Sequence, residues 1–130
     1  MRIYLDAAPV IYLVEQSPTF AARVSARVSA PGVVPVSSDL TRMEALVFPI
    51  RTGNAGLAQD YEDFFAQRVA EMVPFTPPLF RRAADIRARE NFKTPDALHL
   101  AAAVEGACDV FLTNDAQLAR FTGVAVEVIT

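Results

Sequence analysis

The alternating periodicities of the sequence predict an α/β fold in which about five short parallel strands form a sheet covered by helices on both faces. Three observations predict it. Apolar runs with β-branched and aromatic members recur at residues 2–5, 33–37, 73–75, 110–112 and 124–129. Between them lie longer segments with apolar residues at helical spacing, the crossovers that parallel strands require. Acidic residues stand where strands end and helices begin, the edge at which open α/β sheets bind ligands. At 130 residues the chain is expected to form one domain, residues 1–130, whose core needs no disulfide or structural metal.

The first strand is Arg2-Ile3-Tyr4-Leu5, and Asp6 sits where it stops. Pro9 favours a first helical turn, because the N–H it lacks has no partner there, and the apolar run continues to Val14. Residues 18–30 carry Phe20, Val24 and Val28 at four-residue spacing with arginines between them, an amphipathic helix that Pro31-Gly32 ends. The second strand, 33–37, contains Pro35, which cannot donate to a ladder, so a short or irregular strand is expected. Ser37-Ser38-Asp39 starts a helix over 40–48 that carries Glu44 and closes at Pro49. After Thr52-Gly53-Asn54, a stripe of Leu57, Tyr61, Phe64, Phe65, Val69 and Met72 predicts the second arm of a helical hairpin.

Residues 73–75 read as a minimal strand, and Pro77-Pro78 opens a helix with Leu79, Ala83 and Ile86 inward and Arg81, Arg82, Arg87 and Arg89 on its solvated face. Thr94-Pro95-Asp96 starts the next helix, with Thr94 as cap and Pro95 at the first position. That helix is apolar nearly all round from Ala97 to Val104, which predicts burial, and Gly106 stops it. Val110-Phe111-Leu112 is a strand, Thr113-Asn114-Asp115 the turn after it, Leu118 to Phe121 a short helix ended by Gly123, and 124–129 the last strand.

Asp6 and Asp115 follow strands, and Glu44 and Asp96 lie early in helices that follow loops. In a right-handed parallel sheet all four reach one edge. Each has an ordinary role as well: Glu44 completing a capping box with Thr41, Asp96 favoured by the helix dipole, Asp115 as a cap and Asp6 in a turn. Together they repel one another unless a cation neutralises them. Oxygen donors without His or Cys suit Mg²⁺ or Mn²⁺ rather than zinc. The net charge of −3 does not exclude a phosphodiester substrate, because with these four set aside twelve basic residues face eleven acidic ones.

Leu5-Asp6-Ala7-Ala8-Pro9-Val10-Ile11-Tyr12, Leu40-Thr41-Arg42-Met43-Glu44, Lys93-Thr94-Pro95-Asp96-Ala97-Leu98-His99-Leu100-Ala101 and Leu112-Thr113-Asn114-Asp115 resemble, in order and spacing, the successive motifs of PIN-domain ribonucleases. More narrowly they resemble the VapC toxins of type II toxin–antitoxin pairs, and the resemblance runs over the whole chain. It implies a three-layer α/β/α sandwich and a Mg²⁺-dependent endoribonuclease, with Mn²⁺ able to substitute, acting on RNA to leave 5′-phosphate and 3′-hydroxyl ends. It carries over Asp6, Glu44, Asp96 and Asp115 as catalytic and metal-holding acids, with Thr113 as the hydroxyl residue that helps order them and Asn114 as a supporting neighbour. It also implies a cognate antitoxin, seated at the helical hairpin around Phe48 to Phe65, and a homodimer. Two departures stand out: Ala8 replaces a polar residue common in relatives, which would weaken support of the site, and Asn114 is neutral where some relatives have an acid.

Arg42, Lys93 and Arg120 lie near the motif acids and are candidates for RNA phosphate contacts. His99, the only histidine, is expected to be a packed, hydrogen-bonded core residue rather than a general base, and Cys108 a buried thiol. There is no phosphate loop, zinc spacing or nucleophile elbow. A rival reading is a catalytically weak or inactive module of the same fold that binds a protein or RNA; a phospho-accepting receiver domain would need paired acids after the first strand and a lysine near Asn114. No apolar stretch approaches the ~18 residues of a membrane span, Asp6 interrupts any signal-like start, and a single cysteine fits a reducing compartment, so a cytoplasmic protein is expected.

Overall fold

The computed structural model describes every residue, Met1–Thr130. Five strands, β1 (Arg2–Leu5), β2 (Val34–Ser37), β3 (Glu71–Met72), β4 (Val110–Thr113) and β5 (Ala125–Val128), form one parallel sheet in the order β3-β2-β1-β4-β5. Helices α1 (Ala7–Val14), α2 (Ala21–Val28), α3 (Asp39–Arg51) and α4 (Ala55–Gln67) cover one face, and α5 (Pro77–Glu90) and α6 (Thr94–Glu105) the other. The result is a three-layer α/β/α sandwich. No helix is long and apolar enough to cross a membrane.

Side chains alternate across a strand, and the two cores follow from that. Tyr4 and Phe111 turn toward α5 and α6, where their rings stack at 5.3 Å, while Ile3, Leu5, Val110 and Leu112 turn toward α1 to α4. The apolar circumference of α6 is explained by its place: Ala97, Leu100, Ala101, Ala102 and Ala103 are all buried. Cys108, half-buried beside Gly106, has its thiol pushed up to about 11 by burial, which makes it a packing residue rather than a thiolate.

Several boundaries differ from the sequence expectation. The third strand is Glu71–Met72 rather than 73–75, because its ladder runs only as far as β2 does: Val36 faces Glu71, Ser37 faces Met72, and β2 ends there. Val69 and Met72 therefore lie beyond α4 instead of on its stripe. Pro35 is accommodated because its carbonyl, which accepts from Ala70 N–H at 2.9 Å, and its missing N–H face the β3 side just before that ladder begins. Pro49 does not close α3, which runs on to Arg51; so near the helix end it removes a single bond, and its carbonyl accepts from Asn54 N–H at 2.8 Å. The second helix is shorter than 18–30, with Phe20 stacked on Tyr12 outside it. Thr94 is the first residue of α6, not its cap, and takes a hydrogen bond from Arg87 at 2.5 Å. Residues 118–121 form part of a 3-10 turn, Ala116–Arg120, and the extended Phe121.

Candidate active site

Strand order reverses at β1, whose neighbours β2 and β4 lead the chain in opposite directions. The crevice at the carboxyl ends of β1 and β4 is thus the topological switch point. Asp6 enters it directly: its N–H donates to Leu112 C=O at 3.1 Å, Oδ1 accepts from Ala7 N–H at 2.8 Å as the cap of α1, and Oδ2 accepts from the Thr113 hydroxyl at 2.8 Å. The Thr113 oxygen also accepts from Asp115 N–H at 3.1 Å, so one hydroxyl ties the acids after β1 and β4 together. Asp115 caps the 3-10 turn, accepting from Gln117 N–H at 3.0 Å.

Glu44 arrives by a different route. Ser37 and Thr41 each donate a hydroxyl to Leu5 C=O at 3.1 Å, which fastens the start of α3 to the end of β1 and leaves Glu44 about one helical turn beyond, facing the crevice. Since α3 is capped at Ser38 with Thr41 inside it, the capping-box role of Glu44 does not arise. Asp96 lies in the first turn of α6. Partial burial first, then the charges of Asp115, Asp6 and Glu44, hold its carboxyl above the ordinary range. The Asp96 carboxyl therefore feels the charges of the other three acids.

His99 is where the sequence reading was incomplete. It is a core residue, 2 % exposed, and hydrogen-bonded on both sides as expected. Yet its Nε2 lies 2.5 Å from Glu44 Oε1 and 3.6 Å from Asp6 Oδ1, and ligand atoms of Asp6, Glu44 and His99 fall within 4.8 Å of one another. The signal was present in the spacing, because His99 stands three residues after Asp96 on one helix face. Tyr4, whose hydroxyl meets His99 Nδ1 at 2.9 Å and Ser38 Oγ at 2.7 Å, was also missed as a supporting residue; it shares a strand face with Asp6 two positions away.

The other candidates divide. Thr113 touches the site, whereas Asn114 is exposed and donates to Tyr12 at 2.6 Å. Arg42 turns to α4, where Glu62 receives it at 2.6 Å through both oxygens, which holds the Glu62 carboxyl below its usual range. Lys93 is exposed immediately before α6, and Arg120 lies 3.8 Å over the Phe92 ring and donates to Glu90 C=O. Of the hairpin residues expected at a partner groove, Phe48 and Ile50 are 58 % and 67 % exposed, while Tyr61 and Phe64 are buried.

The ion pairs of the chain join Arg2 to Glu71, Arg27 to Glu127, Arg42 to Glu62 and Asp39, Arg81 to Asp85, and Arg82 to Glu105. None reaches Asp6, Glu44, Asp96 or Asp115; only His99 approaches two of them. Asp6 and Glu44 bring hard oxygen donors together beside His99, and no lysine or arginine neutralises them, Asp96 or Asp115, which suits a divalent cation such as Mg²⁺ or Mn²⁺.

Compared with known proteins, residues 3–124 match the family model described as PIN domain. No curated protein sequence matches the chain significantly. Among solved structures it is similar to VapBC from Rickettsia felis bound to a DNA fragment from their promoter (TM-score 0.81, 15% identity, 100% of each chain covered). It is also similar to a sarcin-ricin-loop-cleaving VapC toxin from Mycobacterium tuberculosis (TM-score 0.71, 19% identity, covering 95% of this chain and 98% of that one). A toxin–antitoxin complex from Klebsiella pneumoniae aligns with TM-score 0.73 at 19% identity over 95% of each chain.

Proposed function

The chain belongs to the PIN domain family, and we propose from that premise that its acidic edge is the active site of a Mg²⁺-dependent endoribonuclease, the toxin of a toxin–antitoxin pair. The observation that carries this reading is the meeting of Asp6 and Glu44 beside His99 at the β1/β4 switch point, with Asp115 linked to Asp6 through the Thr113 hydroxyl and no lysine or arginine paired with these acids or with Asp96.

Asp6, Glu44, Asp96 and Asp115 would hold the cation, and Mn²⁺ would substitute for Mg²⁺. When bound, such an ion makes water nucleophilic at neutral pH and offsets charge on the phosphate and the leaving oxygen. The chain's own contribution is orientation. Thr113 fixes Asp6 and the start of the Asp115 turn, and the hydroxyls of Ser37 and Thr41 fix α3 and hence Glu44. Lys93 and Arg120 stand near Asp96 and Asp115 in sequence, have no acidic partners, and would contact RNA phosphates; Arg42, already neutralised by Glu62, is the weakest of the three.

Exposed Met43, Val47, Phe48 and Ile50 on α3 support a protein partner, for which the toxin–antitoxin likeness nominates an antitoxin or a second copy of the chain. The test is cleavage of a panel of structured RNAs by antitoxin-free protein with Mg²⁺, with Mn²⁺ and with EDTA, beside Asp6→Asn. Cleavage that requires the metal and vanishes in the variant supports the nuclease. Equal cleavage by variant and wild type marks a contaminant, and neither cleavage nor metal binding replaces the enzyme with a binding module.

A further inference from the structure

The three ligand atoms that cluster within 4.8 Å invite a site in which His99 binds the ion beside Asp6 and Glu44. The hydrogen-bond chain behind His99 points elsewhere. Nε2 lies 2.5 Å from Glu44 Oε1. An unprotonated ring nitrogen and a carboxylate oxygen are both acceptors and repel at that separation, so a proton lies between them; with Glu44 an ionised carboxylate, as the metal-site reading requires, that proton belongs to Nε2. The ring cannot turn away, because it is buried and its Nδ1 is fixed at 2.9 Å from the Tyr4 hydroxyl. Tyr4 is held in turn by Ser38 Oγ at 2.7 Å and by its stack on Phe111. No buried side-chain polar atom is left without a partner, so the network is complete as it stands.

Resting on the metal-site reading above, we propose that His99 is a positioning residue and not a metal ligand: its Nε2–H holds Glu44 Oε1 in one orientation, and Tyr4, seated on the sheet, sets the ring. Glu44 is the acid that needs such a hold. It is carried on a long side chain from α3, whereas Asp6 and Asp115 are short and capped into backbone turns. Asp6 has Thr113 for this purpose, and Glu44 has His99. Supporting contacts of this kind are worth roughly 10- to 100-fold in metal affinity or activity.

Because His99 is the only histidine, labelling histidine with ¹⁵N makes every ring-nitrogen signal its own. In the metal-free protein the ¹⁵N spectrum is expected to show Nε2 protonated. In the Mn²⁺-loaded protein, electron spin-echo modulation is expected to show no directly coordinated ¹⁵N. An unprotonated Nε2, or a strong ¹⁵N coupling to Mn²⁺, overturns the proposal. In Mn²⁺ titrations, His99→Leu should weaken binding by about 10- to 100-fold, and His99→Gln, which keeps an N–H donor, should recover part of the loss. Tyr4→Phe should weaken Mn²⁺ binding less and leave the ion free of nitrogen; a nitrogen ligand appearing in that variant also overturns it. In RNA cleavage these losses should fall on kcat rather than KM. A protein that binds no Mn²⁺ yet keeps Nε2 protonated would refute the proposed nuclease while leaving the His99–Glu44 contact in place.

Discussion

The two ends of the sheet handle charge in opposite ways. At the amino ends of the strands the charges of Met1, Arg2, Glu71 and Asp109 find partners: Arg2 meets Glu71 at 2.8 Å and donates twice to Gly106 C=O, its N–H meets Asp109 at 2.8 Å, and the terminal ammonium of Met1 meets Gly32 C=O at 2.8 Å. At the carboxyl ends, Asp6, Glu44, Asp96 and Asp115 have no lysine or arginine among their partners, and burial and mutual repulsion raise Asp96. A fold gains nothing by gathering uncompensated acids, so the amino edge reads as architecture and the carboxyl edge as a place kept for a ligand. That contrast generates measurable differences between the two edges.

The largest concerns activity. Asp6→Asn should lower metal-dependent RNA cleavage by more than about 100-fold, since it alters an acid proposed to hold the ion rather than a residue supporting one. Steady-state cleavage beside wild type checks this. Next comes the response to cation: thermal unfolding with excess Mg²⁺ or Mn²⁺ should show about 2.7 kcal/mol of stabilisation at a hundredfold excess over Kd, removed by EDTA and diminished in Asp6→Asn. In EDTA, Asp96→Asn should melt above wild type, because a carboxylate whose ionised form is disfavoured in the fold is replaced by a neutral amide.

At the opposite edge the sign reverses. Arg2→Ala leaves Gly106 C=O without its two donors and should cost about 1–3 kcal/mol in urea unfolding, with cleavage per folded molecule unchanged. The smallest effect belongs to the exposed Arg42–Glu62 pair. Folding lowers the Glu62 pKa, so its contribution is present above the unfolded value and is lost as pH falls through the folded one. Glu62→Gln should therefore cost under about 1 kcal/mol at neutral pH and nothing in strong acid.

Much of this was legible in the residues. The strand-to-turn pattern around Asp6 and around Asp115 survives intact because burial and local turn chemistry agree there, and the buried circumference of α6 follows from composition alone. What was not legible depended on distant partners. β3 is set by where β2 ends, α3 continues past Pro49 because the lost bond lies at its terminus, and Arg42 is taken by Glu62 twenty residues away. His99 was readable as a core residue, but only the fold could bring Glu44, 55 residues earlier, to its Nε2. Local chemistry survives translation into structure better than long-range pairing does.

The most direct test of the carboxyl edge is an anomalous difference map from crystals soaked in Mn²⁺. The account predicts a peak between Asp6 and the carboxylates of Glu44, Asp96 and Asp115, with His99 nitrogen outside bonding distance. Crystals that take up Mn²⁺ elsewhere while this edge stays free of density would contradict it.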